Sequence, residues 1–155
     1  MIRFLHLDYD LSLDVYNKCK SYIEVKGCYS NVAHSFLNYI DFIDTFKNIK
    51  ISFGGFNPIT NSVSDNIFFK HCFFVLDNKV IDPTIVLLLK NKKFNKEDIE
   101  RKSLYFNILS YNKEEYRAKL IECGDTSLNK YTMRITNEFQ DKLLNTNSEN
   151  IILVG

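Results

Sequence analysis

Tryptophan is absent from this chain, and the 155 residues include only two prolines, five glycines and three histidines. With so little proline and glycine there is no linker-like stretch. One domain spanning residues 1–155 is the expectation for a chain of this length. The three histidines and four cysteines contain no CxxC pair and no zinc-type spacing, so neither a metal nor any other cofactor is expected. An excess of either charge is also missing. Twenty Lys and Arg stand against nineteen Asp and Glu, a formal charge of +1, which leaves no electrostatic footprint for nucleic acid. The lysines of "LKNKKFNK" (residues 89–96) read as a solvated loop. No apolar run approaches the ~18 residues of a membrane-spanning helix, and "MIRFLHLDYD" is charged too early for a secretion signal. The expected setting is cytoplasmic, with reduced thiols and no membrane partner.

What is present is a core. Hydrophobic residues make up 45% and aromatics 14%, enough for a globular domain. "IRFLHL" predicts a short strand. Ser12 is placed to cap a helix over about residues 13–24, with Val15 and Cys19 turned inward. After Gly27, a helix is expected over about residues 28–46, carrying Val32, Phe36, Ile40 and Ile43 on one face. "IKISFGGF" predicts a strand ending at Gly54-Gly55, and "IFFKHCFFVL" and "KVIDPTIVLLL" two more, joined by Asp77-Asn78. Beyond Lys90 the pattern turns helical. The expected helices are "NKEDIERKSLYFNIL", "NKEEYRAKLIECG" with Asn112 as cap, and "SLNKYTMRITNEFQDKLL". "ENIILVG" is a possible terminal strand.

Cys28 stands between Gly27 and the apolar run of its helix, a position where free N–H groups and the helix dipole favour the nucleophilic thiolate. The question is whether the chain supplies a base. If Asp77-Asn78 form a two-residue loop, Leu76 faces Lys79, Val75 faces Val80 and Phe73 faces Asp82. His71, Phe73 and Asp82 then share one face of the sheet, with Asp82 diagonal to His71 and within hydrogen-bond reach. A three-residue loop would put Asp82 on the other face. Cys72 points away from His71 and reads as packing. His6 has no carboxylate at a readable position, and His34 lies about 240° round its helix from Cys28 at ~100° per residue. Asp8, Asp10 and Asp14 read as surface or capping residues.

In this order, "GCYSNVAHSF … IKISFGGF … KHCFFVLDNKVIDPT" resembles the core of the transglutaminase-like superfamily, within the papain-like cysteine enzymes. The match covers about residues 25–86. It implies an α+β fold in which a Cys-bearing helix packs on an antiparallel sheet, followed by a helical C-terminal extension over about residues 91–155. It also implies Cys28 as nucleophile, His71 as base and Asp82 as the acid that orients it. Phe73 stands where the family usually has Trp, and Cys72 where it has Ala.

The residues support the same chemistry: a cysteine-dependent hydrolase or acyltransferase that passes through a thioester. The Cys28 N–H is one oxyanion donor, and Tyr29 or Asn31 a candidate second. The expected partner is a protein, peptide or small amide or acyl substrate. A different class, a non-catalytic binding module on the same fold, stays open. So does an arylamine N-acetyltransferase-like enzyme, although no acetyl-CoA-binding portion is visible.

Overall fold

Asp77 and Asn78 both hold left-handed backbone angles, φ 50° and 65°, as a two-residue type I′ hairpin loop requires. The ladder beside them pairs Leu76 with Lys79, Val75 with Val80 and Phe74 with Ile81. This is the expected even register, and its next step sets Phe73 beside Asp82.

The computed structural model describes residues 3–23, 32–33, 35–37, 47–57, 67–90, 93, 95–122 and 152–154. Along the chain these form β1 (Phe4–Leu7), α1 (Tyr9–Ile23), β2 (Lys50–Asn57), β3 (Ile67–Leu76), β4 (Lys79–Ile81), α2 (Pro83–Leu89), α3 (Lys96–Lys102), β5 (Leu104–Tyr111), α4 (Lys113–Glu122) and β6 (Ile152–Val154). Residues 32–33 and 35–37 are also helical. The fold is mixed α and β.

The strands run in the order β2-β5-β1-β4-β3, and β3 pairs back onto β2, closing a small five-stranded barrel. β6 adds in parallel beside the start of β3. An antiparallel sheet was expected; the β1–β4 pair is parallel, because α1 and the hairpin strands intervene and return the chain in the same direction. The expected helical extension is corrected as well. β5 lies between β2 and β1, so a segment assigned to the periphery forms part of the barrel wall.

Three element boundaries shift for local reasons. "KVIDPTIVLLL" is a strand only to Ile81, because Asp82 caps a new helix and Pro83 opens it. Proline lacks the donor a strand needs and suits the first helical turn. "NKEDIERKSLYFNIL" is helical only to Lys102, after which "LYFNILSY" is extended. β2 does not stop at Gly54-Gly55 but runs through to Asn57. A Cβ on Gly54 would stand 1.7 Å from the Phe106 carbonyl oxygen, and one on Gly55 2.2 Å from the Phe106 ring. Those glycines let β5 press close where the β2–β5 register shifts.

The α1 helix begins earlier than Ser12: Asp8 is its cap, accepting from the Leu11 N–H at 3.1 Å. Asn112 does cap α4, in a reciprocal pair with Glu115 at 2.8 and 3.0 Å. Tyr116 of α4 is buried, whereas Ile121 is 80% exposed. Candidate helix 127–144 and most of the helix expected over 28–46 lie outside the described residues.

Strand alternation separates two faces. Tyr105 on β5 contacts Phe73 on β3 and Asp82 beyond β4, neither strand being its neighbour. Tyr105 thus reaches β3 past β2 and Asp82 past β1, from both sides of the closed ring, which sets these contacts in the barrel interior. His71, Phe73, Phe56, Tyr105 and Asp82 therefore face inward, while Cys72, Phe74 and Phe53 face outward. On the outer side Phe36, from the helical residues 35–37, packs on Phe74 and Tyr116 with ring centres 5.7 and 6.2 Å apart. Removing that ring would cost about 3–5 kcal/mol.

Candidate functional site

The interior polar residues are brought together by the middle of β3, the start of β5 and the helix cap that follows β4. β3 sets His71 opposite Gly54, and the ring lies between Phe56 and Phe73, at centroid distances of 5.3 and 6.0 Å. Asp82 leaves β4 and turns the chain into α2. Its Oδ1 accepts from the Thr84 N–H at 3.0 Å, and its own N–H donates to Ser12 Oγ at 2.9 Å. Ser12 Oγ in turn donates to the Asp8 carbonyl at 2.6 Å.

Oδ2 of Asp82 meets His71 Nε2 at 2.8 Å, with the two side chains 8% and 1% exposed. Tyr105 donates its hydroxyl to the same oxygen at 2.8 Å. An ionised carboxylate only accepts, so Nε2 carries the hydrogen and donates. In the neutral ring Nδ1 then holds the lone pair, which makes it the basic nitrogen. Burial first, then the neighbouring Asp82 charge and its hydrogen bond, hold the Tyr105 phenol well above its ordinary pKa. It stays a donor.

Of the residues singled out in the sequence, His71, Phe73 and Asp82 come together. Cys28, Tyr29 and Asn31 lie outside the described residues. Phe73 is fully buried and packs edge-on against Tyr105 at 5.1 Å, so it forms part of the wall behind His71. Cys19 and Cys72 are buried, and neither is in a disulfide. Burial raises the Cys19 pKa against the opposing Ser35 hydrogen bond and Lys18 charge, which leaves it inert at neutral pH.

The Cys-bearing helix was expected to pack on the sheet. Of the helix expected over 28–46, Phe36 is described beside Phe74 on the outer face of β3, whereas His71 is on the inner face.

Sequence reasoning missed Tyr105 and misjudged Ser12. Tyr105 fell in a segment read as helical, although "LYFNIL" is rich in the aromatic and branched residues strands prefer. Ser12 was taken as a helix cap but holds the Asp82 backbone from inside the first turn of α1. Among the described residues no three His, Cys, Asp or Glu side chains come together as a metal site, and no helix is long and apolar enough to cross a membrane.

Compared with known proteins, the chain matches no protein-family model, no curated protein and no solved structure.

Proposed function

We propose that the chain is a cysteine-dependent hydrolase or acyltransferase, of papain-like (transglutaminase-like) kind, acting on an amide or related acyl bond through Cys28, His71 and Asp82. The observation that carries this reading is the buried 2.8 Å contact between His71 Nε2 and Asp82 Oδ2. It commits one ring nitrogen to the carboxylate and gives the other the lone pair needed to take a thiol proton.

In this mechanism Nδ1 of His71 accepts the proton from Cys28 Sγ, and the thiolate attacks the carbonyl carbon. The oxyanion is held by the Cys28 N–H, with Tyr29 or Asn31 as the second donor. The tetrahedral species collapses as the imidazolium protonates the leaving group, and a thioester remains. Water or an amine, deprotonated by the same imidazole, resolves it. Asp82 stabilises the imidazolium throughout.

The test is iodoacetamide labelling of all four thiols across pH, followed by electrophilic acyl probes on the parent chain and on Cys28→Ala. Cys28 is expected to react fastest and to lose that lead in His71→Ala. A Cys28 rate that matches an ordinary thiol and ignores His71 would sink the enzyme reading.

One observation favours a second reading, a non-catalytic binding module. The Asp82 carboxylate receives Tyr105, Thr84 and His71 together, and His71 itself is only 7% exposed. A polar cluster this well satisfied also serves simply to fix a unique barrel interior. On that reading no thiol shows a preference, and Asp82→Asn changes stability alone.

A further inference from the structure

We infer that Tyr105, on the reading of the site proposed above, is a positioning residue whose hydroxyl fixes the Asp82 carboxylate and shares its charge, and through it tunes the base strength of His71. The Tyr105 O–H and the His71 Nε2–H converge on one oxygen, Oδ2, each at 2.8 Å. The other oxygen is committed to the Thr84 N–H at 3.0 Å. The carboxylate therefore cannot rotate without breaking a bond to β3, β5 or α2.

The phenol is delivered across the barrel by packing. Its ring sits 4.9 Å from Phe56 and 5.1 Å from Phe73, centre to centre. Two donors on one carboxylate oxygen compete for its charge, and each weakens the other. With the phenol held protonated by burial and by Asp82, that competition persists through the neutral range. Tyr105 faces the pair from β5, while His71 and Asp82 face each other from β3 and the end of β4. Among the described residues, α1 and α2 present the neutral Ser12 hydroxyl and the Thr84 N–H to Asp82. Removing the phenol hydroxyl returns charge to Oδ2 and strengthens its hold on the imidazolium.

The experiment is ¹⁵N-imidazole NMR of the full chain, with the His71 signals assigned through His71→Gln. In Tyr105→Phe, the His71 ring is expected to titrate about 0.5–1 pH unit higher than in the parent, with a displaced Nε2 resonance. In an Asp82→Asn background the same substitution should do nothing further, because its effect passes through the carboxylate. A Tyr105→Phe chain that loses thermal stability while its His71 titration stays in place overturns the inference. So does an equal shift in both backgrounds. Should Tyr105→Phe not fold, 3-fluorotyrosine incorporation makes the phenol a stronger donor and should move the titration down; no movement overturns the inference too. Iodoacetamide labelling in parallel keeps the two claims apart. A Cys28 rate unaffected by His71→Ala removes the enzyme reading, while the ring titration still reports on Tyr105.

Discussion

At the scale of the residue, Asp82 has two duties, and one substitution separates them. Asn keeps an oxygen for the Thr84 N–H and remains a good helix cap, but its amide sets a donor against those of His71 and Tyr105. Asp82→Asn is expected to fold, to lose about 3 kcal/mol of stability and to slow Cys28 alkylation sharply. Chemical denaturation and a labelling time course check this together.

The buried tyrosines make a second prediction. Tyr105 and Tyr116 both have phenol pKa values raised in the fold, chiefly by burial, with the Asp82 charge adding for Tyr105 and Cys72 for Tyr116. Above the unfolded value of about 10 the unfolded chain gives up protons that the folded chain keeps, so unfolding is favoured as pH rises. Their contribution to stability is complete below pH 10 and falls by about 1.4 kcal/mol per pH unit per tyrosine above it. Denaturation midpoints measured through the alkaline range should show a shallower decline in Tyr105→Phe, by one proton's worth. The His71–Asp82 geometry was legible in the sequence because it follows from strand period and loop length. Tyr105 was not, because its hydroxyl reaches across from a strand far along the chain.

At the scale of the element, the best-read features are those whose signals are local. The Asp77-Asn78 loop, the Asn112 cap and the strands at Phe4–Leu7 and Ile152–Val154 each declare themselves within a few residues. β5 did not, since Lys96–Lys102 and Lys113–Glu122 are helical on either side and a helical period reads smoothly across the join. The glycine pair of β2 was read as a stop, yet it marks a close approach by a strand not yet placed. Backbone blocks Gly54 and a side-chain ring blocks Gly55. Gly54→Ala is therefore expected to cost about 3 kcal/mol, and Gly55→Ala about 1 kcal/mol. Thermal melts of the two variants should rank them in that order.

At the scale of the whole molecule, residues past Lys90 are not an accessory. Ending the chain there deletes β5, leaves β1 and β2 with unpaired edges and removes Tyr105 from the interior. The truncated chain is expected to lose its cooperative unfolding transition and to become prone to edge-to-edge association, which calorimetry and light scattering would record. The closure order also has a kinetic consequence. β1 waits for β4 and β5, so the first strand to be synthesised gains one neighbour roughly seventy residues later and the other roughly a hundred residues later. Among the described ladders, only the β3–β4 hairpin closes over a short loop. Refolding should accordingly be slow for a chain of this size, on the order of milliseconds to seconds, and it should begin from that hairpin. A ribosome making the chain would already hold His71 and Asp82 outside its tunnel, with the wall around them incomplete until Tyr105 emerged.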